Sequence, residues 1–347
     1  MKAAVLYELG APLKLRTDVE VPAPARGQVL VRLAFSGVCR SQLLEVRGGR
    51  GPDPHLPHLL GHEGSGVVLA TGPGVTKVKT GDRVVLGWIK GAGLDAPGPR
   101  YRSGGETISA GAVTTFNEEA VVSENRCVPI PAGVPMDVAV LFGCAVPTGA
   151  GIVAQIAPER GTSVAIFGLG GVGMAALMAC VLHDCAQVIA VDVAADKLAL
   201  ATALGATACI DATKHDPVAE VRKLTGGKGA DYAIEAAGFA RTIEQAFAAV
   251  RERGGRCVFA SHPRAGERIS LDPHDLISGK RIEGSWGGGS DPDRDIPRFA
   301  ELYRAKKLPL EKLIARRYRL DDVNRALDDL EAGRVGRPLI EIDASLG

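Results

Sequence analysis

A chain of 347 residues, 46% hydrophobic and 23% charged, has the material for two globular domains rather than one. Its 41 Lys and Arg against 40 Asp and Glu leave a net charge of +1, which gives no electrostatic reason to expect nucleic acid or an anionic membrane as partner. Seven cysteines, an odd count with no C-x-x-C pair, argue against a disulfide framework.

The N-terminus, Met1 to Glu8, lacks the long apolar core of a signal peptide, so reduced thiols and a cytoplasmic location are expected. Up to about residue 145 the chain reads as short β segments punctuated by Gly and Pro: Val29 to Phe35, Gly66 to Ala70, Arg83 to Leu86 and Glu119 to Val122. Such spacing predicts a barrel or sandwich. Near residue 146 the pattern changes to alternation: a helix over 147–157, a strand over 163–167, a helix over 173–183, a strand over 186–191, a helix over 195–204, and so on to a strand over 256–259. Repeated β-α units predict a doubly wound parallel sheet. Ser163 to Leu182 is long and apolar enough to span a bilayer, but its glycines fit a strand, a turn and a buried helix. Beyond Trp286 two helices are expected, over 298–305 and 322–332, with the basic run from Arg304 to Arg319 on a solvated helix face. A last strand over 339–342 has no sheet of its own and is expected to return to the first domain. The domains are thus 1–146, 147–286 and a returning part, 287–347.

Gly168-Leu-Gly170-Gly171-Val172-Gly173 follows a predicted strand and opens a predicted helix, and Asp192 ends the next strand 19 residues after Gly173. That context makes G-x-G-x-x-G a strong dinucleotide signal. The first glycine permits a tight turn, the second lets the backbone approach a pyrophosphate, and the third lets helix pack on strand. Asp192 can accept hydrogen bonds from the adenosine ribose and would repel a phosphate there, so NAD is favoured over NADP.

Cys39, His62 and Cys144 each have a bland reading alone. Together, two thiolates and an imidazole are a set that holds catalytic zinc, with water or substrate as fourth ligand. A zinc so held acidifies an alcohol.

These motifs carry a resemblance. With Gly61-His62-Glu63-x-x-Gly66, Gly37-Val-Cys39-Arg40-Ser41, Gly143-Cys144 and Lys77-x-x-x-Gly81-Asp-Arg-Val84, the chain resembles the zinc-dependent alcohol dehydrogenases of the medium-chain dehydrogenase/reductase superfamily over nearly its whole length. The resemblance implies an α/β fold, a GroES-like β-rich catalytic domain plus a Rossmann domain. It also implies roles: Ser41 receives the substrate proton, Glu63 stands beside the zinc during ligand exchange, Arg40 and Arg337 contact the cofactor pyrophosphate, and Lys197 joins Asp192 near the ribose. Trp88 and Phe116 align with aromatic pocket walls, with core packing as the alternative for both.

The chain departs from the family in three places. No cysteine lies between 40 and 126, so the four-cysteine structural zinc lobe is missing and one zinc per chain is expected. Gln42 stands where an Asp often orients the ligand histidine, a weaker partner for tautomer and basicity. Leu44 replaces a relay histidine, leaving His55, His58 or water as proton exits. The expected reaction is reversible, NAD-linked conversion of a primary or secondary alcohol to aldehyde or ketone. The alternatives are a zinc-free NADP-dependent enoyl or quinone reductase, a sugar or polyol dehydrogenase, or a binding protein that kept the fold. A homodimer is the base-rate expectation, and tetramers are common in the family.

Overall fold

The computed structural model describes residues 1–346, which fold as two units: Met1–Cys144 with the chain from Asp291 onward, and Ala145–Ser290.

The first unit is built on β1 (Gln28–Gly37), which leads into helix α1 (Arg40–Val46) and pairs antiparallel with β2 (Gly64–Thr71). β3 (Arg83–Leu86) extends that sheet from β2, β4 (Glu119–Ser123) pairs with β1, and β5 (Cys127–Pro129) pairs with β3. Alternation along β1 and its neighbours places Val29, Val31, Leu33, Val68, Val84, Leu86, Ala120 and Val122 in one buried cluster. Each such valine or leucine contributes about 1.5–3 kcal/mol when removed from water. The expected return of the C-terminal strand is observed: Pro338–Glu341 pairs antiparallel with β1, and Arg316–Arg319 pairs with it in turn. A second, five-stranded sheet includes Ala3–Leu6 and His58–Leu59. The basic run does not form a helix face. Leu308, Leu310 and Leu313 are buried around a 3-10 turn at Leu310–Leu313, and Arg316–Arg319 is a strand with Tyr318 turned inward between exposed arginines.

In the second unit, helix α2 (Ala145–Ile156) precedes β6 (Ser163–Phe167), α3 (Gly171–Leu182), β7 (Gln187–Asp192), α4 (Ala195–Ala203), β8 (Ala208–Asp211), α5 (Pro217–Leu224), β9 (Tyr232–Glu235), α6 (Ala240–Ala249), β10 (Arg256–Phe259) and β11 (Arg281–Gly284). All six strands are parallel, in the order β8-β7-β6-β9-β10-β11. This is the doubly wound sheet expected from the alternation, with its switch point between β6 and β9. The central strand β6 is buried at every residue, as a parallel strand covered by helices on both faces should be. Among the described residues no single helix is long and apolar enough to cross a membrane.

Candidate active site

The metal cluster lies within the first unit. Cys39 caps α1, His62 sits on the turn entering β2, and Cys144 closes the unit before α2. The turn at His62 needs a glycine at 61, where φ is +90° and a Cβ would stand 2.3 Å from Thr115 Oγ1. It is buttressed from behind: the Ser36 hydroxyl donates to the Glu63 carbonyl at 3.2 Å and lies 2.7 Å from Thr115 Oγ1. Glycines one or two residues before the two cysteine ligands make room for Glu63, since a Cβ at Gly37 would lie 2.6 Å from the Glu63 carboxyl carbon and one at Gly143 would lie 2.9 Å from Glu63 Cβ.

The ligand atoms of Cys39, His62, Glu63 and Cys144 all lie within 4.8 Å of one another. His62 Nε2 and Glu63 Oε1 are buried without a hydrogen-bond partner among the described residues. Buried polar atoms are ordinarily paired, so orphans converging on one point fit a site that an ion completes. Charge agrees with this. Glu63 is fully buried and ion-paired with Arg337, itself only 5% exposed. With both thiolates and Glu63 ionised, one divalent cation beside Arg337 brings the cluster to neutrality. The residues present therefore fit zinc, with Cys39, His62 and Cys144 to hold it.

Without the ion, Cys39 and Arg337 are biased toward that state and Cys144 and Glu63 away from it. A hydrogen bond from Cys144 holds the Cys39 thiol well below the usual thiol range, against the effect of burial and with help from His62 and Arg337. Donation of that bond, together with burial, pushes Cys144 well up. Burial pushes the Glu63 carboxyl up, opposed chiefly by Arg337. Burial opposes the charge on Arg337, but Glu63, Cys39 and Cys144 outweigh it and hold the guanidinium above its ordinary range.

Gln42 is 2% exposed and faces both neighbours: its Oε1 accepts the Cys39 N–H at 3.2 Å and its amide nitrogen meets His62 Nδ1. An amide nitrogen only donates, so in this arrangement Nδ1 accepts and the ring proton sits on Nε2. Binding an ion through Nε2 requires Gln42 to turn its oxygen to Nδ1–H. A carboxylate there would need no such turn. The Ser41 hydroxyl lies 3.4 Å from His62 Nδ1, next to the cluster. His58 is engaged elsewhere, with Nε2 2.8 Å from Asp53 and Nδ1 2.9 Å from the Leu59 carbonyl.

The dinucleotide residues lie at the C-terminal edge of the second unit's sheet. Gly168 has φ +89° and Gly173 backs directly onto its carbonyl, so both glycines serve the turn itself. A Cβ at Gly170, by contrast, would meet nothing within 4 Å. Nothing in the chain demands glycine there, and a closely approaching ligand would. Gly170 caps α3, and Gly171, Val172 and Gly173 form its first turn, whose N–H groups and dipole suit a pyrophosphate. Asp192 accepts N–H bonds from Leu169 at 2.7 Å, Val193 at 2.8 Å and Ala194 at 3.0 Å, with Lys197 Nζ 4.0 Å away. It therefore ties the glycine turn to the loop after β7. The residues present fit a nicotinamide dinucleotide.

Arg40 is exposed on the first turn of α1 and Trp88 is half-buried. Arg337 is found inside the metal cluster as the partner of Glu63, a pairing not foreseen from sequence. Phe116 has no exposed surface and packs among Val38, Leu43, Leu60, Tyr318 and Leu327, the core packing that was one of its two readings. Sequence reasoning also missed Ser36 and Thr115, which carry no motif of their own.

Comparison with known proteins agrees with this geometry. Residues 171–304 match the family model of zinc-binding dehydrogenases, and residues 25–132 match that of the alcohol dehydrogenase GroES-like domain. The chain is similar to an alcohol dehydrogenase zinc-binding domain protein from Burkholderia ambifaria (31% identity, TM-score 0.89, 98% of each chain). It is also similar to the benzyl alcohol dehydrogenase of Acinetobacter calcoaceticus (30% identity, TM-score 0.88, 98% of this chain and 99% of that one). Alcohol dehydrogenase TADH from Thermus sp. ATN1 shares the fold at 24% identity and TM-score 0.84, over 99% of this chain and 100% of its own. The chain belongs to the zinc-type alcohol dehydrogenases of the medium-chain dehydrogenase/reductase superfamily. It is an oxidoreductase whose family implies zinc and a nicotinamide cofactor.

Proposed function

We propose that the protein converts a primary or secondary alcohol reversibly to an aldehyde or ketone, with NAD as hydride acceptor and one zinc per chain. The observation that carries this reading is the convergence of Cys39, His62 and Cys144 on the orphaned His62 Nε2. Zinc held there would supply a Lewis acid that lowers the pKa of an alcohol hydroxyl. The chain's own residues do the rest. The Ser41 hydroxyl, beside His62, receives the alcohol proton. Glu63, with one oxygen unpartnered, stands ready to approach the ion during ligand exchange. Asp192 and Lys197 hold the adenosine ribose, and the carboxylate disfavours a 2′-phosphate. The first turn of α3 holds the pyrophosphate. Trp88 lines the substrate pocket. The likeness to a benzyl alcohol dehydrogenase makes aryl alcohols the first class to screen.

The retained cluster argues against a zinc-free reductase. We place the protein in the cytoplasm, in keeping with its free thiols. We further infer self-association. The sheet ends at β11, which pairs only with β10 among the described residues, and Leu276 and Ile277 nearby are 47% and 81% exposed. The test is zinc per chain and NAD-linked alcohol oxidation in wild type and Cys144→Ser. Loss of both in the variant supports the reading. Full activity in the variant, or active wild type without zinc, overturns it.

A further inference from the structure

Glu235, the last residue of β9, is a carboxylate with no exposed surface that the reaction above does not use. Donors converge on it from three segments. Its Oε1 accepts from the N–H groups of Ala237 at 2.9 Å and Gly238 at 2.8 Å and from the Thr242 hydroxyl at 2.7 Å, and its Oε2 accepts from the Ser261 hydroxyl. One side chain thus ties together the turn after β9, the first turn of α6 and the segment leaving β10.

The place of this knot in the sheet gives it meaning. A doubly wound sheet binds a dinucleotide across its switch point, one nucleotide on each half. Here the switch lies between β6 and β9. The glycine turn and Asp192 belong to the β6–β7 side, which takes the adenosine. The β9–β11 side is left for the nicotinamide nucleotide. The two sides touch: a Cβ at Gly168 would lie 2.5 Å from Ala237 N and 2.7 Å from Ala237 Cα. The turn that Glu235 gathers is therefore the surface on which the glycine turn rests. Packing of β9 does not need the carboxylate, since Ala233 is buried with Ala246 and Phe247 of α6 in the apolar cluster on that face.

We propose that Glu235 is a positioning residue for the nicotinamide half of the bound dinucleotide, holding the turns at 236–238 and 260–261 at the separation that half requires. This rests on the dinucleotide reading of the second unit. Glutamine can keep the arrangement only in weakened form: its oxygen can face the three donors at Oε1 and its N–H₂ can donate to the Ser261 hydroxyl, but the negative charge that strengthens all four bonds is gone.

The test compares AMP, which occupies only the adenosine half, with NADH, by calorimetric titration of the full chain. Glu235→Gln should weaken NADH at least tenfold and leave AMP within twofold. It should also raise KM for NAD more than it lowers kcat. Ser261→Ala removes a single donor and should shift NADH alone, in the same direction and by less, which serves if Glu235→Gln does not fold. Equal weakening of AMP and NADH, or unchanged NADH affinity in both variants, overturns the proposal. Wild-type protein that binds neither ligand instead removes the dinucleotide reading and the proposal with it.

Discussion

Replacing Glu124 with glutamine should loosen the segment at 88–97 while leaving the metal cluster intact. This segment holds no cysteine, and side chains order it. Glu124 is 1% exposed; its Oε1 accepts the N–H groups of Thr76 at 2.6 Å and Lys77 at 2.8 Å, and its Oε2 accepts that of Leu94 at 2.7 Å. Ser123 accepts the Ala96 N–H at 2.8 Å, and Asp293 accepts that of Ala92 at 2.6 Å. Glutamine keeps one acceptor and turns an N–H₂ group toward the remaining donors. Bonds to a charged acceptor contribute about 1.5–3 kcal/mol each and an unpaired buried donor costs about 1–3 kcal/mol, so losing one or two of the three amounts to roughly 2–6 kcal/mol. At about 2–4 °C per kcal/mol for a unit of this size, the melting temperature should fall by roughly 5–20 °C.

The sign of the pH dependence separates this account from simple misfit. Burial pushes the Glu124 carboxyl up, but the N–H groups of Leu94, Lys77 and Thr76 outweigh it and hold it below the ordinary value of 4.5. A carboxyl with a depressed folded pKa contributes stability that is complete above its unfolded pKa and is lost as pH falls through the folded one. The gap in melting temperature between wild type and Glu124→Gln should be constant near neutrality and narrow below about pH 4.5. Calorimetric scans of both proteins across that range provide the check. Equal melting temperatures at pH 7, or a gap that persists undiminished in acid, would refute the reasoning. Zinc content should be the same in both.

Gln42→Asp should tighten zinc by at least about tenfold, because a carboxylate accepts the His62 Nδ1 proton without giving up Cys39 N–H; chelator competition measures it, and unchanged affinity would remove Gln42 from the argument. Arg337→Ala strands the fully buried Glu63 and should cost about 3–5 kcal/mol, read as a lower denaturation midpoint in urea; an unchanged midpoint would mean that Glu63 is held by something else. Asp192→Gly should erode the preference for NAD over NADP, seen in the ratio of kcat/KM values; a constant ratio would leave Asp192 a purely structural tie among Leu169, Val193 and Ala194.

The site was legible where its chemistry is written locally. Cys39, His62 and Cys144 each stand within two residues of a glycine, and the structure shows why: those glycines admit a sharp turn or the bulk of Glu63. Gly168 and Gly173 were legible for the same reason. Partnerships across the chain were not. Glu63 and Arg337 are 274 residues apart, and nothing in either neighbourhood names the other. Glu124 carries no signal in the sequence, because its donors at 76, 77 and 94 are main-chain groups with no signature of their own. Strands fared likewise. Ala3–Leu6 is buried at all four residues and so shows no alternation, while Arg316–Arg319 hides one inward tyrosine among arginines that also fit a helix face. The same limit bears on Glu235. A glutamate that ends an apolar strand can be read as the point where burial stops, yet its side chain is fully enclosed because four donors reach it from residues 237, 238, 242 and 261. A carboxylate supplied with that many donors can remain in a sheet interior without a cation of its own, and positions of that kind are where a fold can hold two turns in register for a ligand.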